Sequence, residues 1–227
     1  MPEYEESSHQ ISKRDQGRID SAVRLGAIKQ VQLVKFIYDN LGFAGITKFV
    51  RDEIEPWARS WARSIRLRHG LQEAQITARV AIQQLYPEVH DHTAICSDHL
   101  DMFFSIDHED LQVCGARYCP VAYQWMQFWP QGAHHLCYIY SYSFDRYFFA
   151  ELNPNLHFTK HAECCADQPG IPHGRPCLMR LETRNKPVDL STIQIIEDAE
   201  TIEVSKVIKE FLAARDIQYE LHVPKQN

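Results

Sequence analysis

The sequence contains no long apolar run and no excess of basic charge. Of its 227 residues, 44% are hydrophobic and 24% are charged, and the formal net charge is −6 at pH 7. A membrane span needs about eighteen consecutive apolar residues, and even the aromatic-rich segment 136–152 is interrupted by charged side chains. An acidic protein lacks the broad cationic field that attracts phosphate backbones or anionic lipid. We therefore expect neither nucleic acid nor a membrane as a partner.

The features of a secreted protein are also missing. The first residues are acidic and polar, whereas a secretory signal combines a basic start with an apolar run. The seven cysteines are an odd number, which suits reduced thiols better than a disulfide framework. We expect no signal peptide, mostly free thiols and a cytoplasmic location.

Several well-defined functional motifs do not occur. The sequence has no G-x-G-x-x-G, no P-loop and no G-x-S-x-G nucleophile elbow, so it lacks the devices of dinucleotide, nucleotide and α/β-hydrolase sites. It also has no C-x-x-C and no H-E-x-x-H, the spacings of common zinc sites. No cofactor is predicted.

What the first third of the sequence does contain is helical periodicity. Residues 1–16 are polar without an apolar period, which predicts a flexible leader. Apolar residues then recur at helical spacing from Ile19 to a stop at 40–42, from 46 to a break at Gly70, and from 71 to 85, where Tyr86-Pro87 closes the run. Residues 17–86 are therefore expected to form a helical part.

Beyond Pro87 the pattern changes to short strands and helices. Alternation from Leu111 predicts a strand that ends at Cys119-Pro120, and the segments 156–163 and 176–183 predict two more. Helices are expected over 121–128 and 134–152, and the segment 185–227 is expected to be a C-terminal extension with a helix near 197–214. The predicted fold is a single α+β domain over 17–227, with a helical N-terminal part followed by a small antiparallel sheet packed with helices.

One helix face carries a row of reactive groups. In the helix after Gly132, Cys137, Ser141 and Asp145 are spaced at i, i+4 and i+8, so that their side chains line one face. A helical cysteine is commonly a small buried apolar residue, and the serine is tolerated in such a place. Asp145 is different because aromatic residues surround it in the sequence, and an unpaired carboxylate there would be costly. We expect Asp145 to have a partner.

Short motifs across 111–183 resemble the L-2-amino-thiazoline-4-carboxylic acid hydrolase family. That family has a helical N-terminal part, a Cys-Pro element, a helix with Cys and Asp, an Asn-Pro stop and a Gly-x-x-Cys strand. The motifs occur here in the same order, as Arg117-Tyr118-Cys119-Pro120, Cys137 with Asp145, Asn153-Pro154, Phe158-Thr159-Lys160 and Gly174-Arg175-Pro176-Cys177. The resemblance identifies 111–183 as a family-like catalytic core.

The resemblance implies a small-molecule hydrolase that attacks the C=N carbon of a cyclic amidine, such as a 2-aminothiazoline carboxylic acid, by cysteine and aspartate chemistry. Cys119 is the leading nucleophile, because Pro120 is expected to open a helix whose positive end would lie near the sulfur. Cys177 and Cys137 are the alternates, and Asp145 is the acid/base. The implied substrate-binding residues are Arg117, Ser141, Tyr142 and Lys160, with Arg117 suited to a substrate carboxylate.

Two other classes of function remain open. A non-hydrolytic tailoring enzyme, such as a cyclase or an isomerase of a secondary metabolite, could use the same aromatic pocket. A ligand-sensing or metal-binding protein is the third hypothesis, with zinc or iron held by a subset of Cys119, Cys137, Cys164, Cys165, Cys177, His157 and His161. The sequence leaves a homo-oligomer open as well.

Overall fold

The protein is α+β, with a helical N-terminal part followed by a four-stranded antiparallel sheet that helices cover, as the sequence predicts. The computed structural model describes residues 13–92, 102–116, 119–160 and 177–189. The predicted loop from Cys164 to Arg175 and the predicted C-terminal helix lie outside these residues. None of the described helices has the length and apolar character that crossing a bilayer requires.

Helical segments follow one another from Lys13 to His69, with a break at Gly42. Helix α1 is Lys13–Phe49, a π-helical segment follows at Val50–Ile54, and α2 is Glu55–His69. Helix α1 therefore starts at Lys13, inside the segment 1–16 that was predicted to be a flexible leader. The predicted stop at Gly42 is present as a break in the helix, where the backbone has φ +60°. Glycine adopts this left-handed conformation without the steric cost that a Cβ imposes.

The predicted helix over 71–85 is wrong in its first half. A 3₁₀ turn at Glu73–Gln75 is followed by extended Ile76, and only then does a helix form, most of it the π-helical segment Val80–Leu85. The side chain of Ile76 is fully buried, so tertiary packing holds the backbone extended against its helical propensity. Pro87 does not end the helical region, because it begins α3, Pro87–His92.

Within the described residues, the sheet contains one strand more than the three predicted there. Its strands are β1 (Met102–His108), β2 (Leu111–Ala116), β3 (Leu156–Lys160) and β4 (Cys177–Thr183), in the order β1-β2-β4-β3. All neighbours are antiparallel. The register aligns Cys114, Met179 and Lys160 in one row across β2, β4 and β3. Because strand residues alternate between faces, these three residues share one face of the sheet.

Helices from the second half of the chain pack against the N-terminal helices. They are α4 (Pro120–Phe128), α5 (Ala133–Cys137) and α6 (Phe144–Leu152), with a π-helical segment at Tyr138–Ser143 between the last two. Helix α6 packs on both α2 and β3.

Aromatic and ionic contacts fix α6 in this position. On the side of the sheet, the ring of Phe149 lies 5.4 Å from that of Phe158. On the side of α2, Glu151 accepts hydrogen bonds from Arg59 at 2.9 Å and from Arg63 at 3.1 Å. Helix α6 is thereby held between α2 and β3, and the residues on its inner face are fixed relative to the sheet.

Candidate active site

Five side chains form a buried hydrogen-bonded chain between the helices and the sheet. Lys160 Nζ donates to Cys137 Sγ at 3.2 Å and to Ser141 Oγ at 2.8 Å. Ser141 Oγ donates to Asp145 Oδ2 at 3.3 Å, and Tyr86 Oη donates to Asp145 Oδ1 at 2.7 Å. Cys137, Asp145 and Lys160 are each 2% exposed or less. A thiol, an ammonium, a hydroxyl, a carboxyl and a phenol are therefore in contact within the interior.

The predicted row of Cys137, Ser141 and Asp145 is present, and it continues through a change of helix type. Cys137 ends α5, Ser141 lies in the π-helical segment, and Asp145 is the second residue of α6. A π-helical segment has a wider turn than an α-helix, and such segments are frequent at functional sites. The row faces β3, where Lys160 at the strand end reaches both Cys137 and Ser141.

Tyr86 is a second hydrogen-bond donor to the Asp145 carboxyl group. The sequence analysis did not identify it as a site residue. Its ring packs on Phe148 and Phe149 of α6, with centroid distances of 5.9 and 5.2 Å. In the sequence Tyr86 precedes a proline, which suggested only the end of a helix. A buried Asp145 needs a hydrogen-bond donor, and this need is the signal that could have led to Tyr86. The need alone does not identify which residue is the donor.

A second polar network holds the helical segment of Tyr86 against the sheet. Arg79 Nε, Gln83 Nε2 and Gln112 Nε2 all donate to Asp107 Oδ1, at 2.8, 2.9 and 2.7 Å. Arg79 and Gln83 precede Tyr86 on its helical segment, whereas Asp107 and Gln112 belong to β1 and β2. The network therefore fixes the position from which the phenol reaches Asp145.

Burial dominates the electrostatics of the carboxyl. Removal from water raises the pKa of Asp145 from 3.8 to about 6, although the Tyr86 hydrogen bond, the Lys160 charge and the Ser141 hydrogen bond all oppose the rise. Burial, and then the neighbouring Asp145 carboxylate, raise the pKa of Tyr86 well above its usual value. Near neutral pH, Asp145 can therefore both give and take a proton, while Tyr86 remains a hydrogen-bond donor.

Cys119, the predicted leading nucleophile, caps the start of α4. Its Sγ accepts a hydrogen bond from the backbone N–H of Ala122 at 3.4 Å, and Pro120 is the first helical residue. The sulfur thus lies at the positive end of a short helix, as the sequence predicts. Cys119 is partly exposed. The role of Cys119 as the nucleophile stays a prediction.

The other predicted substrate residues are described to different extents. The half-buried ring of Tyr142 stacks on that of Tyr138 at 5.9 Å and packs on Phe158 at 6.2 Å. Cys177 begins β4, in register with Ala116, and its side chain lies outside the described residues. Arg117 also lies outside them. The structure therefore brings Cys137, Ser141, Asp145 and Lys160 together out of the eight predicted site residues.

The metal hypothesis gains no cluster from the described residues. Cys114, Cys119 and Cys137 are present as reduced cysteines, and the redox state of the other four cysteines stays a prediction. Within the described ranges, no group of three or more histidine, cysteine, aspartate and glutamate side chains is arranged to hold a metal ion. Cys164, Cys165 and His161 lie outside those ranges.

Comparisons with known proteins give no match. No protein-family model matches the chain, and no curated protein or solved structure is significantly similar to it.

Proposed function

We propose that this protein is a hydrolase of small molecules that attacks the C=N carbon of a cyclic amidine, with Cys137 as the nucleophile and Asp145 as the acid/base. The observation that carries the proposal is the buried chain from Cys137 through Lys160 and Ser141 to Asp145. The sequence motifs shared with the L-2-amino-thiazoline-4-carboxylic acid hydrolase family point to a ring of the 2-aminothiazoline type as the substrate.

The hydrogen-bonded chain from Cys137 to Asp145 supplies the two groups that covalent hydrolysis requires. A sulfur nucleophile is needed to add to the electrophilic carbon, and a titratable group is needed to move protons to nitrogen and from water. Cys137 and Asp145 lie on the same helical row and are joined through Ser141 and Lys160. With a pKa of about 6, Asp145 is present in both protonation states near neutral pH.

The first half of the proposed reaction opens the ring. The Cys137 thiolate adds to the ring carbon, and the electron pair of the C=N bond moves to nitrogen, which takes a proton from Asp145. The bond from that carbon to the ring sulfur then breaks, so the ring opens and the sulfur leaves as a thiolate. The carbon, still bonded to two nitrogens, remains attached to Cys137 as an isothiourea.

The second half releases the product. Water adds to the isothiourea carbon while the Asp145 carboxylate takes one of its protons. The Cys137 thiolate then leaves as the C=O bond forms, and the remaining hydroxyl proton passes to the thiolate of the opened ring. The net change is the addition of one water molecule, which gives a carbamoyl group and a free thiol. Lys160 balances the negative charge on sulfur at the start and at the end of this cycle.

The contacts favour Cys137 over Cys119 as the nucleophile. Cys137 accepts a hydrogen bond from an ammonium group, and Cys119 accepts one from the backbone N–H of Ala122. A full positive charge stabilises a thiolate more than the partial charge at the end of a nine-residue helix does.

The test is incubation with L-2-amino-thiazoline-4-carboxylic acid in ¹⁸O-labelled water, followed by mass spectrometry and thiol titration of the product. The expected result is a product heavier by one labelled water molecule, with one new thiol per ring. The Cys137→Ser variant should lose turnover, and Asp145→Asn should lose it by about 100-fold or more, in the range typical of general acid–base catalysis.

Two results would contradict the proposal. A product of unchanged mass would identify a cyclase or an isomerase instead of a hydrolase. If the Cys137→Ser variant keeps turnover and the Cys119→Ser variant loses it, the nucleophile is Cys119 at the start of α4. Circular dichroism and thermal unfolding of each variant distinguish a chemical loss from a loss of fold.

A further inference from the structure

A small cavity lies at the end of β4. Its volume is about 280 Å³, and Leu111, Arg180 and Glu182 are among the residues that line it. Leu111 and Glu182 are paired in the register of β2 and β4, and Arg180 and Glu182 alternate along β4 with Met179. Since Met179 shares a face with Lys160, these three lining residues lie on the opposite face of the sheet. The cavity is therefore separate from the hydrogen-bonded chain that contains Lys160.

The cavity is open to solvent and suits a small ligand. Arg184, Lys186 and Pro187 line it and are exposed, so a molecule can enter without unfolding of the chain. Sites for drug-sized ligands have volumes of about 300–1,000 Å³. The volume here, about 280 Å³, lies just below that range. We therefore expect a metabolite of few heavy atoms.

The positive groups of the cavity suit a carboxylate. The Arg180 side chain is 12% exposed, and its Nη2 donates to Glu182 Oε2. A guanidinium has five N–H donors, and within the described ranges the buried Nε of Arg180 has no hydrogen-bond partner. A buried donor without an acceptor is costly, and an arginine fork matches the two oxygens of a carboxylate. Arg184 and Lys186 add two further positive charges to the wall.

The negative groups of the cavity suit an ammonium. Asp110 and Glu182 both line it, and the Asp110 side chain is 15% exposed. Lys186 Nζ lies 3.5 Å from Asp110 Oδ1, which is longer than an ordinary hydrogen bond, and among the described residues this Oδ1 has no hydrogen-bond partner. The two carboxylates would repel a ligand that carried negative charge alone. A ligand with both a carboxylate and an ammonium is therefore favoured over a simple anion.

The cavity also has an apolar part. Leu111 is buried, Val188 is half-buried and Pro187 is exposed, and all three line the cavity. An apolar group of a ligand gains free energy when it leaves water for such a surface. Positive, negative and apolar side chains are the three kinds of contact that an apolar α-amino acid needs.

We propose that this cavity is a binding site for a free apolar α-amino acid. The ligand carboxylate accepts hydrogen bonds from Arg180, its ammonium lies near Asp110 and Glu182, and its side chain packs on Leu111. Binding involves no covalent step. None of these residues belongs to the hydrogen-bonded chain of the candidate active site, so the site does not depend on the proposed hydrolase activity.

The test is isothermal titration calorimetry of the full-length wild-type protein with L-valine as the probe. Three analogues each lack one of the groups: 3-methylbutanoate lacks the ammonium, isobutylamine lacks the carboxylate, and glycine lacks the apolar side chain. L-Valine should bind in a one-to-one complex. Removal of either charged group should weaken binding by about 10- to 100-fold, the range for a hydrogen bond to a charged group, and removal of the side chain by about 10-fold or more.

Two results with the wild-type protein would overturn the proposal. Absence of binding by L-valine at millimolar concentrations would show that the cavity is not an amino-acid site. Equal affinities for L-valine and 3-methylbutanoate would show that the site recognises a simple carboxylate and that the acidic side chains do not contribute.

A variant locates the bound ammonium. Asp110→Asn keeps the size of the side chain and removes its charge, so the affinity for L-valine should fall by about 10-fold or more, while that for 3-methylbutanoate stays the same or rises. Glu109→Gln is the matched control, because Glu109 is exposed, pairs with Arg79 and does not line the cavity, and its affinity for L-valine should equal that of the wild type. In an Asp110→Asn protein with the wild-type circular dichroism spectrum, unchanged affinity for L-valine, or an equal loss for both ligands, would refute the contact.

Discussion

Asp145 should make the stability of this protein fall as the pH rises from about 4 to about 6. Its pKa is 3.8 in an unfolded chain and about 6 in the buried site, so the folded state binds the proton more tightly. A group with a raised folded pKa contributes stability that is fully present below the unfolded pKa and is lost as the pH rises through the folded pKa. For a shift of about two pKa units, the loss is about 3 kcal/mol.

Asp145→Asn isolates this effect because asparagine has a similar shape and does not titrate. Its side-chain oxygen can still accept the hydrogen bond from Tyr86 Oη, which joins Asp145 Oδ1 at 2.7 Å in the wild type. The free energy of unfolding, from urea titrations of both proteins, is compared at about pH 4 and about pH 7.5. The advantage of the variant over the wild type should grow by about 2.4 kcal/mol between the two conditions.

A companion variant locates the upper end of the pH window. Tyr86→Phe removes a hydrogen bond that lowers the pKa of Asp145, so the stability loss should extend above pH 6. The reasoning is refuted if wild type and Asp145→Asn differ in unfolding free energy by the same amount at about pH 4 and at about pH 7.5. Asp145 would then titrate in the folded protein as it does in the unfolded chain.

Two other sites give independent predictions. At Gly132 an added Cβ would lie 2.2 Å from the indole of Trp129, so Gly132→Ala should destabilise the protein by about 1–3 kcal/mol in urea unfolding, as overpacking does. Gly26→Ala is the matched control, since no atom lies within 4 Å of its added Cβ on α1, and an unaltered or higher stability is expected there. Burial, and then His134, lower the pKa of His135 from 6.5 to about 4, so this histidine should cost stability as the pH falls from 6.5 toward 4. His135→Phe should weaken that acid dependence, and an unchanged profile would show that the ring titrates normally.

Local sequence patterns predicted the elements whose own residues determine them. The period of α1, the glycine break at Gly42 and the helix start at Pro120 follow from backbone preferences, and the structure agrees with each. The row from Cys137 to Asp145 was also predictable, because the spacing within one helix fixes which side chains share a face. Lys160 was found through a family motif and not through any contact that the sequence displays.

The missed features depend on contacts between distant parts of the chain. Ile76 is extended because its side chain is fully buried, although the surrounding residues favour a helix. Strand β1 was missed, and its residues bond mainly to β2 and to the Arg79 and Gln83 side chains. Tyr86 reaches Asp145 across 59 residues of sequence. No periodicity within a single window can reveal such a pair.

The π-helical segment at Tyr138–Ser143 limits how the length of this chain can change during evolution. A π turn absorbs one residue inserted into an α-helix, so the residues on either side keep nearly the orientation that they would have in the shorter α-helix. If this segment wound as a regular α-helix at its present length, everything after it would rotate by about 100° relative to α5, the angle per residue in an α-helix. Cys137 would keep its place while Asp145 turned away from Tyr86. We therefore expect homologues that share the site either to keep this segment π-helical or to lose one residue between Cys137 and Asp145 together with the π turn.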